Sequence, residues 1–412
     1  MKKRTENPLV NGMLSVIVAL LVCSIGWTVW SQFFQAIFKL IAGAPLANAP
    51  VALRDKFLLD AVEGTFFWMV ICPWVWFTLN LGNFGKYKKT TKQPIAGIRY
   101  TLMAMATGAV LFFGFALIMG YSWEPFRLSI LFTPQNNEEI ALAIKGWGAL
   151  NFFTLSVNLC QIPLVALYNR YPFAKHSKDS DWAVAFGTLA IGLLIALLNW
   201  NSVILPSFMQ MSTTLVVEGQ EIVRTITTQP FGSWTYTLSW AQLFIFFFLI
   251  PAEGGEMYPQ KLITTKQPWS GLVGFAIAMV ASLTLFPVLK ELLLPLANHV
   301  GLDPNLAVGS LALTGINVML TWHHHFYDFP GADIQSSLVK RLLTRAAIVL
   351  VGGTALGIFW ILFMTKMPFG GNNMGLGHPM LGILGGQFVY MMPMLYMNTF
   401  FDKFPVTKSV EK

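Results

Sequence analysis

Charged residues are scarce in this chain of 412 residues. Only 11% of them are Asp, Glu, Lys or Arg, whereas 55% are hydrophobic, and the mean hydropathy is +0.59. A water-soluble domain carries about 25% charged residues, because these cover the surface that meets water. The composition therefore excludes a soluble enzyme, a nucleic-acid-binding protein and a secreted disulfide scaffold. It indicates a single transmembrane domain over residues 1–412, with the lipid bilayer as its main partner.

Cysteine and histidine are scarce as well. The chain has 3 Cys and 6 His. Cys23, Cys72 and Cys160 lie in apolar runs without the CxxC spacing of zinc and redox sites. The histidines are too few for a membrane di-iron hydroxylase or a haem–copper oxidase core. The sequence also lacks a GxxxxGK[ST] phosphate loop, an arginine ladder and a TVGYG filter, which argues against ATP-driven transport by this chain and against a channel.

Long apolar runs fill most of the sequence. A membrane-spanning helix needs about 20 mostly apolar residues, and the sequence offers ten such segments. They cover residues 12–40, 60–84, 95–120, 146–169, 182–205, 235–257, 270–297, 305–327, 341–365 and 379–401. We therefore expect an all-α polytopic integral membrane protein with ten transmembrane helices.

The connections between these segments alternate in charge. Those around Lys88, Lys266 and Arg341 are rich in Lys or Arg, whereas those around Glu218 and Asn372 are not. Short connections rich in Lys and Arg stay on the cytoplasmic side of a membrane. The alternation predicts that both termini are cytoplasmic and that the protein lies in the cell inner (plasma) membrane.

One string of residues occurs twice. Thr-Thr-Lys-Gln-Pro stands at residues 90–94 and again at 264–268, in both cases on the predicted cytoplasmic side and just before a span. The repeat is therefore parallel, which argues against the inverted repeats of many ten-span transporters. We expect tandem four-helix units at approximately 58–232 and 233–366, with a leading helix at 12–40 and a closing helix at 379–401.

Three predicted spans end in a similar way. At residues 168–172, 326–330 and 401–405 an aromatic residue is followed within the next two positions by Asn or Asp, and then by an aromatic residue and Pro. Aromatic residues and prolines are common wherever a helix leaves a membrane. The similarity fits descent from one ancestral hairpin and a shared interface chemistry equally well.

Ionisable residues at membrane depth are costly, so they need a partner or a function. The candidates for proton coupling lie at the predicted cytoplasmic ends of the sixth and eighth spans: Glu253, Glu256, His323, His324, His325 and Asp328. His324 and Asp328 are four residues apart, so the carboxylate can orient this imidazole on one helix face. We expect a carboxylate of Glu253 or Glu256 close to at least one of the three imidazoles. The alternative is that all of these groups are hydrated among the lipid headgroups.

Carboxylates and imidazoles also bind transition metals. Glu253, Glu256, His323, His324 and His325 therefore form a candidate metal site as well, with a transition-metal ion as the cofactor and its identity unknown. On the outer side, Asp60 and Glu63 open the second span as secondary candidates. Acidic residues near a helix N-terminus are common without any further role.

Two functions of different classes fit these features. The first is an inner-membrane secondary transporter or permease for a small solute, coupled to protons or to a cation. The alternative is a membrane-embedded metal-dependent enzyme that uses the carboxylate and histidine residues, or a subunit of a redox complex. The partners are then a small molecule or an ion, and the composition is compatible with a homo-oligomer and with other membrane subunits.

Overall fold

The computed structural model describes residues 2–3, 7–88, 90, 92–177, 180–204, 216–217, 220–221, 233–329, 337–366 and 379–408. Its long helices are α1 (Pro8–Ala47), α2 (Val51–Asn80), α3 (Ile95–Met119), α4 (Asn137–Ala166), α5 (Asp181–Ser202), α6 (Thr235–Gly254), α7 (Trp269–Val300), α8 (Pro304–His325), α9 (Leu338–Phe363) and α10 (Pro379–Thr399). Short helical turns lie at Glu124–Phe126, Leu128–Phe132, Phe173–His176, Gln260–Leu262 and Met364–Lys366. The predicted outer connection around Asn372, and most of the one around Glu218, lie outside the described residues.

Four two-residue strands complete the described structure. Strand β1 (Lys2–Lys3) pairs antiparallel with β4 (Thr407–Lys408), and β2 (Val216–Val217) pairs antiparallel with β3 (Gln220–Glu221). The first pair joins the beginning of the chain to its end. The two ends of the chain therefore lie side by side.

The long helices coincide with the predicted segments, and the prediction of an all-helical membrane protein is confirmed. Eight of the helices in the described part of the chain are long and apolar enough to cross a membrane. Helices α4 and α10 are not among these eight, so the number of ten spans, their direction and the four-helix repeat units stay predictions. The starts of the second and fourth spans were predicted too late, because α2 begins at Val51 rather than near residue 60 and α4 begins at Asn137 rather than near residue 146.

The helices fall into an inner and an outer set that alternate along the chain. In the most apolar stretch of α2, α6 and α8, between 56% and 72% of the residues are buried, and the hydropathy is only 1.3 to 1.4. In the odd-numbered helices the buried share is 22% to 28% and the hydropathy is 2.0 to 2.3. A helix that faces lipid must be apolar all round, whereas one enclosed by other helices can carry polar groups.

The inner set forms a closed ring of five helices. Helix α2 packs against α4, α4 against α6, α6 against α8 and α8 against α10. Three side-chain hydrogen bonds among the described residues join α10 back to α2. Trp74 Nε1 donates to Thr399 Oγ1 at 3.0 Å, Thr78 Oγ1 donates to the same oxygen at 3.4 Å, and Tyr396 Oη donates to the Val70 carbonyl at 2.9 Å. The even-numbered helices therefore surround a common axis.

Each inner helix ends in the same turn. Two consecutive residues of the turn adopt left-handed backbone conformations: Gly82 and Asn83, Asn169 and Arg170, Glu256 and Met257, Tyr327 and Asp328, and Asp402 and Lys403. In every case the amide before this pair donates to the carbonyl five residues earlier, and the second amide of the pair donates six residues back. An aromatic residue follows. Left-handed backbone costs about 1–2 kcal/mol for a residue other than glycine, so the recurrence indicates a structural requirement.

Side chains from the neighbouring outer helices bind the carbonyl groups that these turns leave free. The acceptor always lies two residues before the first left-handed residue. The bonds run from Gln93 Nε2 to the Phe400 oxygen at 3.0 Å, from Gln267 Nε2 to the Leu167 oxygen at 2.7 Å, and from Arg345 Nη1 to the Gly254 oxygen at 2.8 Å. The repeated Gln-Pro dipeptides of the sequence thus lie where α3 and α7 dock on α10 and α4.

Glycine lets three outer helices approach the turns closely. Gly12 of α1 packs on the ring of Phe326, Gly97 of α3 on Phe401 and Gly271 of α7 on Tyr168, and a Cβ atom at any of these glycines would overlap the ring. The aromatic residues occupy equivalent positions in the turns of α8, α10 and α4. Each of these three outer helices therefore docks on the helix that stands three positions before it in the chain, if α10 is counted as the helix before α1.

We expect Gly97→Ala to destabilise the protein by about 1–3 kcal/mol, because the added methyl group overlaps the Phe401 ring. Gly114→Ala in the same helix is the matched control, since no atom lies within 4 Å of its added Cβ. This control should be neutral or more stable by up to about 1 kcal/mol, through helix propensity. Thermal unfolding of the purified variants in detergent measures both changes, and equal stabilities would contradict the docking contact.

Candidate functional site

An elongated cavity of about 190 Å³ lies on the axis of the inner ring, and all five inner helices line it. The residues that line it stand at regular sequence distances before the shared turns. Positions in each helix are counted back from the first left-handed residue of its turn, and lining residues with the same count are assigned to one level of the cavity. The site is therefore a product of the ring rather than of any single helix.

Two levels of the cavity are aliphatic. Seven residues before the turns lie Val75, Ile162, Leu249, Leu320 and Leu395, and eleven residues before them lie Ile71, Ile245, Ile316 and Met391. The spacing of four residues is about one helical turn, or roughly 6 Å along the axis. Below these levels the wall includes Leu313, Phe388 and the amide side chain of Gln242. The middle of the cavity therefore favours the binding of an apolar group over water or an ion.

The level nearest the turns is polar and asymmetric. Three residues before the turns stand Leu79, Ala166, Glu253, His324 and Thr399, all of which line the cavity. Thr78 and Asn398 lie one residue further from the turns and add a hydroxyl and an amide. A carboxyl group and an imidazole therefore face the same small space, on the adjacent helices α6 and α8.

The three consecutive histidines point in three directions. His323 Nδ1 lies 2.8 Å from Asp328 Oδ1, and its imidazole also interacts electrostatically with the Glu253 carboxyl group. His324 lines the cavity. His325 is buried, and its Nε2 donates to the Met394 carbonyl of α10 at 3.1 Å. The expected pairing of Asp328 with His324 is wrong, because Asp328 lies in the left-handed part of the turn rather than on a continuing helix.

Glu253 and Glu256 are separated by the end of α6. The helix closes in a π-helical turn at Ile250–Gly254, and Glu256 already has left-handed backbone. Glu256 accepts a hydrogen bond of 2.9 Å from Arg341 Nε, which holds the pKa of its carboxyl group below the usual range. Glu253 faces the cavity and His323 instead. Glu253 and His324 line the same cavity, and the expected direct contact between a carboxyl group and an imidazole stays a prediction.

Charged groups continue from the cavity to the surface of the molecule. Asp328 binds His323 and lies 3.6 Å from Arg345 Nη2, and Arg345 Nη1 lies 3.8 Å from Glu256 Oε1. Arg341 follows on the other side of Glu256. A line of alternating acids and bases therefore runs outward from Glu253.

The five candidate metal ligands do not converge. In the described part of the chain, no three His, Cys, Asp or Glu side chains are arranged to hold one metal ion. Glu253 and His324 share the cavity, whereas Glu256 is bound to Arg341 and His325 faces α10. Among the described residues, the predicted metal site therefore has no group of three side chains that could bind the ion.

Asp60 and Glu63 were expected near water but lie well inside α2, at 2% and 3% exposure. Lys56 donates to Asp60, and Asn151 of α4 donates to the Asp60 carbonyl. Among the described residues, neither oxygen of the Glu63 carboxyl group has a hydrogen-bond partner. Neither acid lines the axial cavity.

Several functional positions escaped the sequence analysis. Thr78, Asn398 and Thr399 were not singled out although they line the axial cavity, and neither was Arg345, which binds the Gly254 carbonyl at the end of α6. Aligning the three aromatic–proline ends could have found part of the site. That alignment puts Thr399 at the position of His324, which the structure confirms as one level of the cavity.

We expect Arg345→Ala to destabilise the protein by about 1.5–3 kcal/mol, because it removes a charged hydrogen bond to the Gly254 carbonyl and the contacts to Asp328 and Glu256. Arg341→Ala is the matched control in the same helix. Its partly exposed ion pair with Glu256 should contribute less than about 1 kcal/mol. Chemical or thermal unfolding in detergent compares the two, and a larger loss for Arg341→Ala would contradict this assignment.

Comparison with known proteins does not indicate a family or a function for this chain. No protein-family model matches the chain, and neither does any curated protein or any solved structure. The function therefore has to be argued from the ring, its cavity and the charged groups at the end of that cavity.

Proposed function

We propose that the chain is an inner-membrane permease that binds a small, mainly apolar solute in the axial cavity. The observation that carries this proposal is the cavity wall, which has two aliphatic levels and one polar level with Glu253 and His324. Such a wall fits a solute with an apolar body and one end that is cationic or donates hydrogen bonds.

The size of the cavity restricts the solute. About 190 Å³ is below the roughly 300–1,000 Å³ of sites for drug-sized ligands. From the polar level to Gln242 the wall extends eleven residues, or roughly 16 Å, which is about half of the hydrocarbon core of a bilayer. A linear molecule of a few carbon atoms with one amine or hydroxyl end is the best match.

The charged line supports coupling of transport to protons. In this proposal Glu253 exchanges a proton with His323, whose hydrogen-bond partner Asp328 is partly exposed at the end of the helix ring. Chains of carboxyl and imidazole groups serve as proton relays in membrane pumps and transporters. In this proposal the solute end and the proton compete for the Glu253 carboxyl group.

We propose further that the end of the ring with the five turns faces the cytoplasm. Lys86, Lys175, Lys266, Arg341 and Lys403 all lie at or next to the turns. Lys and Arg in short connections favour the cytoplasmic side. Solute and protons would then reach the polar level of the cavity from inside the cell.

The test uses purified protein and a panel of short-chain amines and alcohols. A compound that raises the thermal unfolding temperature of the wild type should lose at least roughly tenfold in affinity in Glu253→Gln, because a charged hydrogen bond is worth about 1.5–3 kcal/mol. Glu256→Gln is the matched control. It should bind within about twofold of the wild type, because Glu256 lies outside the cavity.

Proteoliposomes test the transport step. Uptake of the same compound by the wild type should respond to an imposed pH gradient, and any uptake left in Glu253→Gln should not. If no compound of the panel stabilises the protein, or if Glu253→Gln transports with the coupling of the wild type, the proposal is wrong.

A further inference from the structure

A much larger cavity lies on the flank of the ring rather than on its axis. It is a groove of about 1,250 Å³ between the outer helices α5 and α7, and its floor is formed by α4 and α6. Its middle is lined by apolar side chains, among them Leu164, Ile195, Phe244 and Phe275. This groove therefore offers an apolar lining on the lipid-facing side of the molecule.

The groove runs the full depth of a membrane. Helix α7 lines it at Leu272, Phe275, Met279 and Leu283, a spacing that puts these side chains on one helix face. The lining begins at Pro268 and reaches Lys290, which is 22 residues, or about 33 Å at about 1.5 Å per residue. The hydrocarbon core of a bilayer is about 30 Å thick. The acyl chains of one leaflet fill about half of this core, or about 15 Å, so the half of the groove next to the turns matches the acyl chains of a lipid in that leaflet.

A basic pocket continues the groove at the end where the turns lie. This pocket of about 440 Å³ shares Tyr168 and Tyr171 with the groove and adds Lys175, Lys266 and Gln267. In the described part of the chain, no Asp or Glu side chain lines the groove or the pocket. The two lysines are exposed and come from different connections of the chain. Together they favour an anion at this point.

We propose that the groove and the basic pocket form a binding site for an anionic phospholipid. The headgroup phosphate lies between Lys175 and Lys266, and an acyl chain follows the apolar face of α7. Basic pockets between membrane helices bind anionic lipid headgroups, and each Lys near the membrane surface contributes about a fivefold preference. This site is separate from the axial cavity and does not depend on the proposed transport function.

The test is native mass spectrometry of the full chain, mixed in detergent with equal amounts of phosphatidylglycerol and phosphatidylcholine of the same acyl chains. The wild type should retain phosphatidylglycerol over phosphatidylcholine by at least roughly tenfold. Lys175→Gln/Lys266→Gln should reduce this preference to within about twofold. Lys261→Gln/Lys340→Gln, which removes two lysines near the turns but outside the groove, is the matched control and should keep it.

Two further measurements decide between sources of the anion and protect against a misfolded variant. Glycerol 3-phosphate, which has the headgroup chemistry without acyl chains, should not displace the bound lipid. Leu272→Trp should lower the retention of both lipids, because the larger side chain fills the groove. Equal preference in the Lys175/Lys266 variant and the wild type, or displacement by glycerol 3-phosphate, would overturn the proposal.

Discussion

The hydrogen bonding of five helix ends is the constraint on which the rest of this structure depends. The last carbonyl groups of a helix have no partner within the helix, and in an apolar environment each such group costs several kcal/mol. The inner helices α2, α4, α6, α8 and α10 meet this cost with one turn, repeated five times, whose amides reach back five and six residues. The strained left-handed residues persist because they make these bonds possible.

The carbonyl groups that remain free link the helices into a ring. Gln93, Gln267 and Arg345 come from outer helices and bind equivalent carbonyls of α10, α4 and α6. Neighbouring turns also bind each other, since Lys86 donates to the Thr399 carbonyl and Arg170 to the Leu79 carbonyl. The cation at each of these helix ends is also favoured by the helix dipole. Burial lowers the pKa of Lys86, and its bond to Asp402 opposes this effect.

The axial cavity is a consequence of this arrangement. Five helices held at one end by equivalent turns bring equivalent residues to the cavity, and at the counts of three and seven residues before the turns every helix supplies one lining side chain. Where the sequence supplies aliphatic residues at all five positions, the cavity is apolar. Where it supplies Glu253, His324 and Thr399, the cavity is polar on one side. A solute would therefore meet its specific contacts at one level only.

The sequence predicted the helices well because lipid is a simple solvent. A run of about 20 apolar residues has few alternatives to a membrane helix, and most boundaries of the long helices lie within a few residues of the predicted ones. The inner or outer place of each helix was not predicted, although the lower hydropathy of α2, α6 and α8 carries that information. Polar residues such as Asn398 are tolerated in the inner helices because other helices cover them.

The turns were only partly visible in the sequence. Three of them share two aromatic residues, an Asn or Asp and a proline. The turn after α2 has Gly85 in place of the proline, and the turn after α6 keeps Tyr258 and Pro259 but contains Glu256 and Met257 without Asn or Asp. The order of the helices in the ring could not be predicted from the sequence, because it depends on contacts such as that of Gln93 with Phe400, which join distant parts of the chain. The role of Asp328 was misassigned for the related reason that the helix was expected to continue.

Cross-linking tests whether α1, which directly precedes α2 in the chain, packs on the turn of α8, as the closed ring requires. In a background without Cys23, Cys72 and Cys160, the pair Gly12→Cys and Phe326→Cys places two thiols where the glycine of α1 packs on the turn of α8. The equivalent contact between nearer parts of the chain, Gly271→Cys with Tyr168→Cys, is the positive control, and Gly26→Cys with Phe326→Cys is the negative one. A closed ring predicts that mild oxidation links the first two pairs to similar extents and leaves the third unlinked. Efficient linking of the Gly271 and Tyr168 pair without any linking of the Gly12 and Phe326 pair would contradict the closed ring.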